Sequence, residues 1–225
     1  MNYRAAFRSV PQPPEHLSQK VYFIMNNLTD KNVQNQTKEL MSQLPHYFNR
    51  WLAEFVINRV ATESNLFDMY TEFVLLATNS QNNFRPLILD LLTREIDFLL
   101  RPGQLNPING KSLKNFGAFL GRLTLAKGIK LGVDLKSLIY VAFKNRPESL
   151  DYIIPFICEL LKNMKRSSTF GQPDPWLQEI LEVVKELHGI TNKLPIQFEV
   201  ELLFSYLGRN MNQTNAAFYL RRIKQ

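Results

Sequence analysis

A chain of 225 residues that is 45% apolar and holds sixteen phenylalanines has material for a core of its own, which excludes a disordered tail and a mini-protein held together by staples. Its single cysteine, Cys158, excludes an internal disulfide, and no window approaches the roughly 20 apolar residues of a membrane span. The net charge of +7 points mildly to an acidic partner, either nucleic acid or an acidic protein face.

The first fourteen residues show no sustained period and end in Pro11, Pro13 and Pro14, so 1–14 is expected to be a flexible lead-in to one domain over 15–225. No basic start joins an apolar run as in a signal peptide. The N-x-S/T triplets at Asn27, Asn35 and Asn212 therefore read as chance. From His16 onward the helical period dominates. Leu17, Val21, Ile24, Met25 and Leu28 mark a first helix that stops near Thr29-Asp30, and a second runs from about Lys31 to Leu44, before Pro45. Trp51, Leu52, Phe55, Val56 and Val60 mark a third, with Trp51 and Trp176 both read as core. A fourth begins near Asn65, and a fifth carries Ile88, Leu91, Leu92, Ile96 and Leu99.

The stretch RPGQLNPINGK reads as the longest connection in the middle of the chain, a mobile loop. Next comes a helix with Leu113, Phe116, Gly117, Leu120 and Leu123, where Gly117 and Gly121 allow close helix approach. Asp134 is placed to N-cap the following helix. Leu150 to Met164 forms an apolar stripe with Pro155 inside it, predicting a kink. Ser167 to Pro173 breaks the pattern, and Asp174-Pro175 reads as a cap and first helical position. Gly189 is expected to end that helix. Gly208 is expected to end the last one, which buries Ile196, Val200, Leu203 and Leu207. About ten helices with short links predict an all-α fold, either a HEAT-like solenoid of about five antiparallel pairs or a compact bundle.

Catalytic chemistry is not signalled. His16, His46 and His188 lie far apart, no Cys/His pair has ligand spacing, and no nucleophile elbow, phosphate loop or dinucleotide fingerprint is present. No cofactor, metal or enzymatic activity is expected. Asp90 and Asp97 bracket Arg94 like a salted outer face, and Cys158 lies on an apolar stripe like an inert buried thiol. From Phe98 to Val133 there is no acidic residue, while Arg101, Lys111, Lys114, Arg122, Lys127 and Lys130 fall inside. A solvated basic face and a docking surface both fit that stretch. Phe116 and Phe119 fit the apolar stripe better than an RNA-stacking platform.

The segments SLKNFGAFLGRLTLAKG (Ser112 to Gly128) and DLKSLIYVAFKN (Asp134 to Asn145) closely resemble the middle domain of the large scaffold subunit of the CCR-NOT deadenylase complex. The likeness continues through DYIIPFICELLKNMKRSSTF, PDPWLQEILEVVKELH and LPIQFEVELLF, and on the N-terminal side through PPEHLSQKVYFIMNNLT and FNRWLAEFVINRVATESNLFDMY. The chain departs from the family at Glu63-Ser64-Asn65-Leu66, where Glu-Pro-Asn-Phe is common, at Gly171-Gln172-Pro173, and in the loop Gly103 to Gly110. The resemblance implies the middle-domain fold of initiation factor four-G, a crescent of five HEAT-like repeats.

It also implies a non-catalytic scaffold that tethers a Caf-type DEDD poly(A) nuclease and docks a Dhh-type DEAD-box RNA helicase. Such a domain works beside other CCR-NOT subunits in mRNA deadenylation, decay and translational repression, in the cytoplasm and its mRNA-decay granules and also in the nucleus. For the helicase, the resemblance points to the turn between the third and fourth helices, with Arg59, Glu63, Asn65 and Phe67. For the nuclease, the acid-free stretch points to Lys114, Phe119, Arg122 and Lys127. The alternative is an RNA-binding helical repeat using the basic segment 98–133, and neither reading involves a membrane.

Overall fold

Apolar side chains three and four residues apart can share one buried face only if the backbone coils, and the chain does so throughout. The computed structural model describes residues 10–167 and 174–221, and among these there are ten α-helices and no strand. They are α1 (Glu15–Asn26), α2 (Val33–Gln43), α3 (Asn49–Val60), α4 (Phe67–Ser80), α5 (Phe84–Leu99), α6 (Pro107–Leu123), α7 (Leu135–Asn145), α8 (Leu150–Lys162), α9 (Pro175–Ile190) and α10 (Leu194–Leu207). The first nine residues of the expected lead-in, most of the expected break between α8 and α9, and the Gly171-Gln172-Pro173 turn lie outside the described residues.

Helix ends follow local chemistry. Asp134 accepts from the backbone N–H of Lys136 and Ser137, both at 3.1 Å, and Asp174 accepts from Leu177 N–H at 3.0 Å. These bonds satisfy amides that a helix start leaves without partners. Gly208 closes α10 in the left-handed conformation, φ 67°. Two expectations fail. The loop expected over Arg101 to Lys111 ends earlier, because Asn106 caps α6 through Ile108 and Asn109 N–H at 3.0 Å each and Pro107 occupies the first turn. Gly189 does not end α9, which runs on to Ile190. A glycine that caps a helix end commonly does so at positive φ, and Gly189 does not adopt it. α8 continues through Pro155 in its second turn.

The chain divides into two compact units, one up to Glu95 and one from Ile96. In the first unit, α2 packs on α4, while α1 meets α3 through Tyr22 and Phe55, with ring centroids 5.0 Å apart. Val21, Ile24, Leu40, Leu52, Val56, Tyr70, Phe73 and Phe84 are buried between the helices.

In the second unit α8 is central, burying Ile153, Ile154, Phe156, Ile157, Cys158, Leu160 and Leu161. α6 lies against it along three glycines. A Cβ on Gly110 would strike the Tyr152 ring, one on Gly117 would sit 2.5 Å from the Phe156 carbonyl oxygen, and one on Gly121 would sit 2.7 Å from that of Leu160. The partners advance in the same direction along both chains, so α6 and α8 are parallel. α10 joins α8 on the same terms: Lys193, just before α10, pairs with Asp151 at 2.8 Å, and Lys165, just after α8, donates to the Tyr206 carbonyl at 2.9 Å. α7 and α9 pack together and are tied by Lys136 and Glu179. Alternate helices thus lie side by side in two rows, the arrangement of a helical repeat.

Candidate protein-docking surfaces

The turn from α3 into α4 holds the four residues expected to meet a helicase, and the structure separates their roles. Arg59 pairs with Glu63 through Nη1 at 3.2 and 3.3 Å, and Glu63 also accepts from the Tyr70 hydroxyl. Burial together with the Glu63 bond pushes the Tyr70 hydroxyl up to about 12, so it stays a proton donor across the physiological range. The guanidinium of Arg59 lies 5.1 Å from the Phe55 ring centre and also bonds Asn26. Phe67 is buried and so supports the turn from inside, while Asn65 is exposed.

Trp51, expected in the core, is half-buried and stacks on Phe55 at 5.7 Å. Trp176 is half-buried as well. Tyr22 and Phe23 are exposed on α1. The first unit therefore presents an aromatic surface, Tyr22, Trp51 and Phe55, with Arg59 at its edge.

In the second unit the residues expected to meet a nuclease differ in their surroundings. Phe119 is fully buried and is a core residue, which corrects its assignment as a contact. Lys114 reaches Glu199 at 2.6 Å, Arg122 donates to the Ala118 carbonyl at 3.3 Å, and Lys127 lies exposed in the turn after α6. The segment 98–133 is free of acid only in sequence. In space Glu199 meets Lys114, and Asp174 meets Lys130 at 3.2 Å.

The surface that sequence reasoning missed is on α10. Its inward stripe, Ile196, Val200, Leu203 and Leu207, is buried as expected. Leu194, Phe198 and Leu202, spaced by four, form a second stripe that faces solvent, with Leu194 74% and Phe198 60% exposed. Phe198 lines an open pocket with Pro155, Pro195 and Ile196, and Asp151 and Glu199 close its rim. The signal was present in the sequence, since a helix apolar on two faces has more hydrophobic surface than one core contact uses.

A profile of the CCR4-NOT transcription complex subunit 1 CAF1-binding domain matches residues 9–225. The chain belongs to this CAF1-binding domain family. It is 30% identical over 221 residues, 91% of its length, to CCR4-NOT transcription complex subunit let-711 of Caenorhabditis elegans. It is 33% identical over 84% of its length to General negative regulator of transcription subunit 1 of Saccharomyces cerevisiae, and 28% identical over 88% to the Schizosaccharomyces pombe protein of that name. The chain spans 8%, 9% and 10% of the length of these three relatives.

Two buried ionisable groups of the described residues have their protonation shifted by burial. Burial raises the Cys158 thiol far above its usual range, which leaves it protonated and inert. Burial, then the charge of Glu54, pushes the Glu95 carboxyl up to about 7, but no basic or nucleophilic partner hydrogen-bonds it. Among the described residues no three of His, Cys, Asp and Glu gather as metal ligands would.

Proposed function

We propose that this domain is a non-catalytic scaffold module that tethers a CAF1-type poly(A) nuclease within a CCR4-NOT assembly. The carrying observation is the match of residues 9–225 to a family described by CAF1 binding. The exposed stripe Leu194, Phe198 and Leu202 is the docking face we assign to the nuclease, because three apolar side chains beside a pocket provide the desolvated centre that a stable interface needs. The Lys114–Glu199 and Lys193–Asp151 pairs supply a polar rim. Lys114 thus keeps a place at the interface, whereas Arg122 and Lys127 belong to another edge.

Co-purification with a CAF1-type nuclease at physiological salt tests both parts. The wild-type chain is expected to co-elute in a stoichiometric complex, and Leu194→Asp with Phe198→Asp is expected to weaken it about tenfold or more, the scale of losing one interface hot spot. No wild-type complex sinks the tethering. A complex indifferent to the double variant sinks the assignment to α10.

The finer reading adds a Dhh-type DEAD-box helicase on the first unit, which would link deadenylation to translational repression and decapping in cytoplasmic mRNA-decay granules and in the nucleus. What supports it is the aromatic surface of Tyr22, Trp51 and Phe55 beside Arg59 and the exposed Asn65. Tyr22→Asp, a change at an exposed side chain of that surface, is the variant to assay against helicase binding. Binding equal to wild type would remove α1 from the interface.

A further inference from the structure

The side chains of α1 and α3 build one continuous aromatic surface on the first unit. Trp51, Phe55 and Arg59 recur every fourth residue along α3, so they share a face, and Tyr47 continues that spacing into the turn before it. Tyr22 of α1 stands edge-on to both Trp51 and Phe55, with interplanar angles of 83° and 81°, while Trp51 and Phe55 stack at 24°. Asn26, one turn beyond Tyr22, meets Arg59, one turn beyond Phe55, so the two helices run parallel and the perpendicular rings wall a notch between them. Tyr47 is 64% and Tyr22 48% exposed, and Trp51 and Phe55 are half-buried. The polar tips of these rings are unused: among the described residues none bonds the Trp51 indole N–H or the hydroxyls of Tyr22 and Tyr47. The lysine and arginine side chains of α1 and α3, Lys20, Arg50 and Arg59, each have a carboxylate partner.

We propose that this notch binds an extended, proline-rich segment of a partner protein in the polyproline II conformation. The inference rests on the reading of this surface as a partner site, but not on that partner being a helicase. Pyrrolidine rings are flat and apolar, and they fit between aromatic faces set at right angles, as in other aromatic-lined grooves that take proline-rich strands. The unused tips are donors, since an indole N–H only donates and a phenol O–H donates readily. A polyproline II strand has no internal hydrogen bonds and leaves its carbonyls open to such donors, whereas a helix has already bonded its own. Charge points the same way. With every lysine and arginine of α1 and α3 paired, a phosphate backbone or an acidic peptide finds no open cation there, and an uncharged strand needs none. From Trp51 to Arg59 α3 rises about 12 Å, a span that about four residues of a polyproline II strand cover.

The test is fluorescence anisotropy with the full 225-residue chain and three labelled probes, an oligoproline peptide, an alanine-rich helical peptide of equal length and an oligouridylate. Oligoproline is expected to bind saturably, its affinity changing less than about twofold as salt rises from about 50 to 200 mM, because no ion pair is formed. Tyr22→Ala and Tyr47→Ala, both at exposed side chains, should each weaken it about threefold or more through the lost ring contact. Trp51→Phe keeps a ring and removes the N–H, and should also weaken it about threefold or more, the equivalent of one hydrogen bond. If an alanine variant alters the circular-dichroism spectrum, Tyr22→Phe and Tyr47→Phe repeat the measurement with the rings in place. No oligoproline binding, binding indifferent to all these variants, or equal or tighter binding of the helical peptide or the oligouridylate overturns the proposal. A helicase that binds and is lost with Tyr22→Asp, while oligoproline does not bind, overturns this inference and keeps the helicase reading. Oligoproline binding weakened by Tyr22→Ala, with no helicase bound, keeps the inference and removes that reading.

Discussion

Lys114 on α6 and Glu199 on α10 are 85 positions apart in sequence and 2.6 Å apart in space, and only one oxygen of that carboxylate has a partner. The other oxygen, Oε2, is buried without one. Glu199 therefore depends on Lys114 for its compensation, and removing the lysine leaves a partly buried charge. Lys114→Ala should lower stability by about 1 kcal/mol, a figure that allows for the solvent exposure of the lysine. Adding Glu199→Gln should restore part of the loss. Urea denaturation of the two variants measures this, and a single variant as stable as wild type would show that solvent already screens the pair.

Two glycines of similar appearance in the sequence should respond in opposite directions. Gly117 faces α8 so closely that an added methyl would sit 2.5 Å from the Phe156 carbonyl oxygen, so Gly117→Ala must push the helices apart. The expected cost is about 1 to 3 kcal/mol, typical of overpacking. Gly189 lies inside α9 with nothing within 4 Å of an added Cβ. Gly189→Ala should raise stability by about 0.5 to 1 kcal/mol through helix propensity alone. Thermal unfolding of both variants decides, and a lower melting temperature for Gly189→Ala would contradict the continuity of α9.

These two glycines also show how far a sequence can be read. Helices α1 to α10 announce themselves through periodic apolar residues, and Asp134, Asp174 and Gly208 mark ends, because caps and stripes are local. Gly189 misleads because a glycine stops a helix only when the chain turns there, and whether it turns depends on how the next residues pack. Pairing is not local at all. The basic segment looks uniform until Glu199 and Asp174 arrive from other helices. Phe119 fits the apolar stripe of α6 in the sequence, whereas Phe67, the first residue of α4, cannot be told from an exposed aromatic without knowing which side of the helix is covered. The outer stripe of α10 is visible as surplus apolar residues, but one core face is enough to account for the helix, so the surplus draws no notice in sequence alone.

Glu95 makes stability depend on pH in an unusual direction. Its carboxyl titrates near 7 when folded, through burial first and the charge of Glu54 second, against 4.5 for the unperturbed group. Between those values the folded state holds a proton that the unfolded state lacks, so this residue favours folding at low pH and loses that advantage as pH rises toward 7. Above 7 a buried carboxylate must be charged in the fold. Glu95→Gln should therefore stabilise the protein at pH 8 by about 2 to 3 kcal/mol relative to its effect at pH 4.5. Asp134 and Asp174, whose carboxyls are held below their usual range, oppose the trend in the whole protein. The difference between variant and wild type isolates Glu95, and a difference flat with pH would place its titration at the ordinary carboxylate value.

Glu186 holds the last described residues onto α9. Its fully buried side chain accepts the backbone N–H of Tyr219 at 2.7 Å, Leu220 at 2.9 Å and Arg221 at 3.2 Å, and also Nε of Arg221 at 3.1 Å. Ala217 N–H adds a bond to the Glu182 carbonyl at 3.0 Å, and Leu220 is buried. Four donors converge on one carboxylate, so the segment is fastened by charge-assisted bonds more than by apolar area. Glu186→Gln keeps the shape but removes the charge and one acceptor oxygen, and its new N–H₂ would face the amides it must receive. Hydrogen exchange at Tyr219, Leu220 and Arg221 should then quicken about tenfold or more, the equivalent of losing about 1.4 kcal/mol of local protection, while the α8 amides are unaffected. Equal slowing or quickening across α8 would mean that the residue supports the whole unit, and unchanged exchange at 219–221 would mean that the segment is held by Leu220 alone.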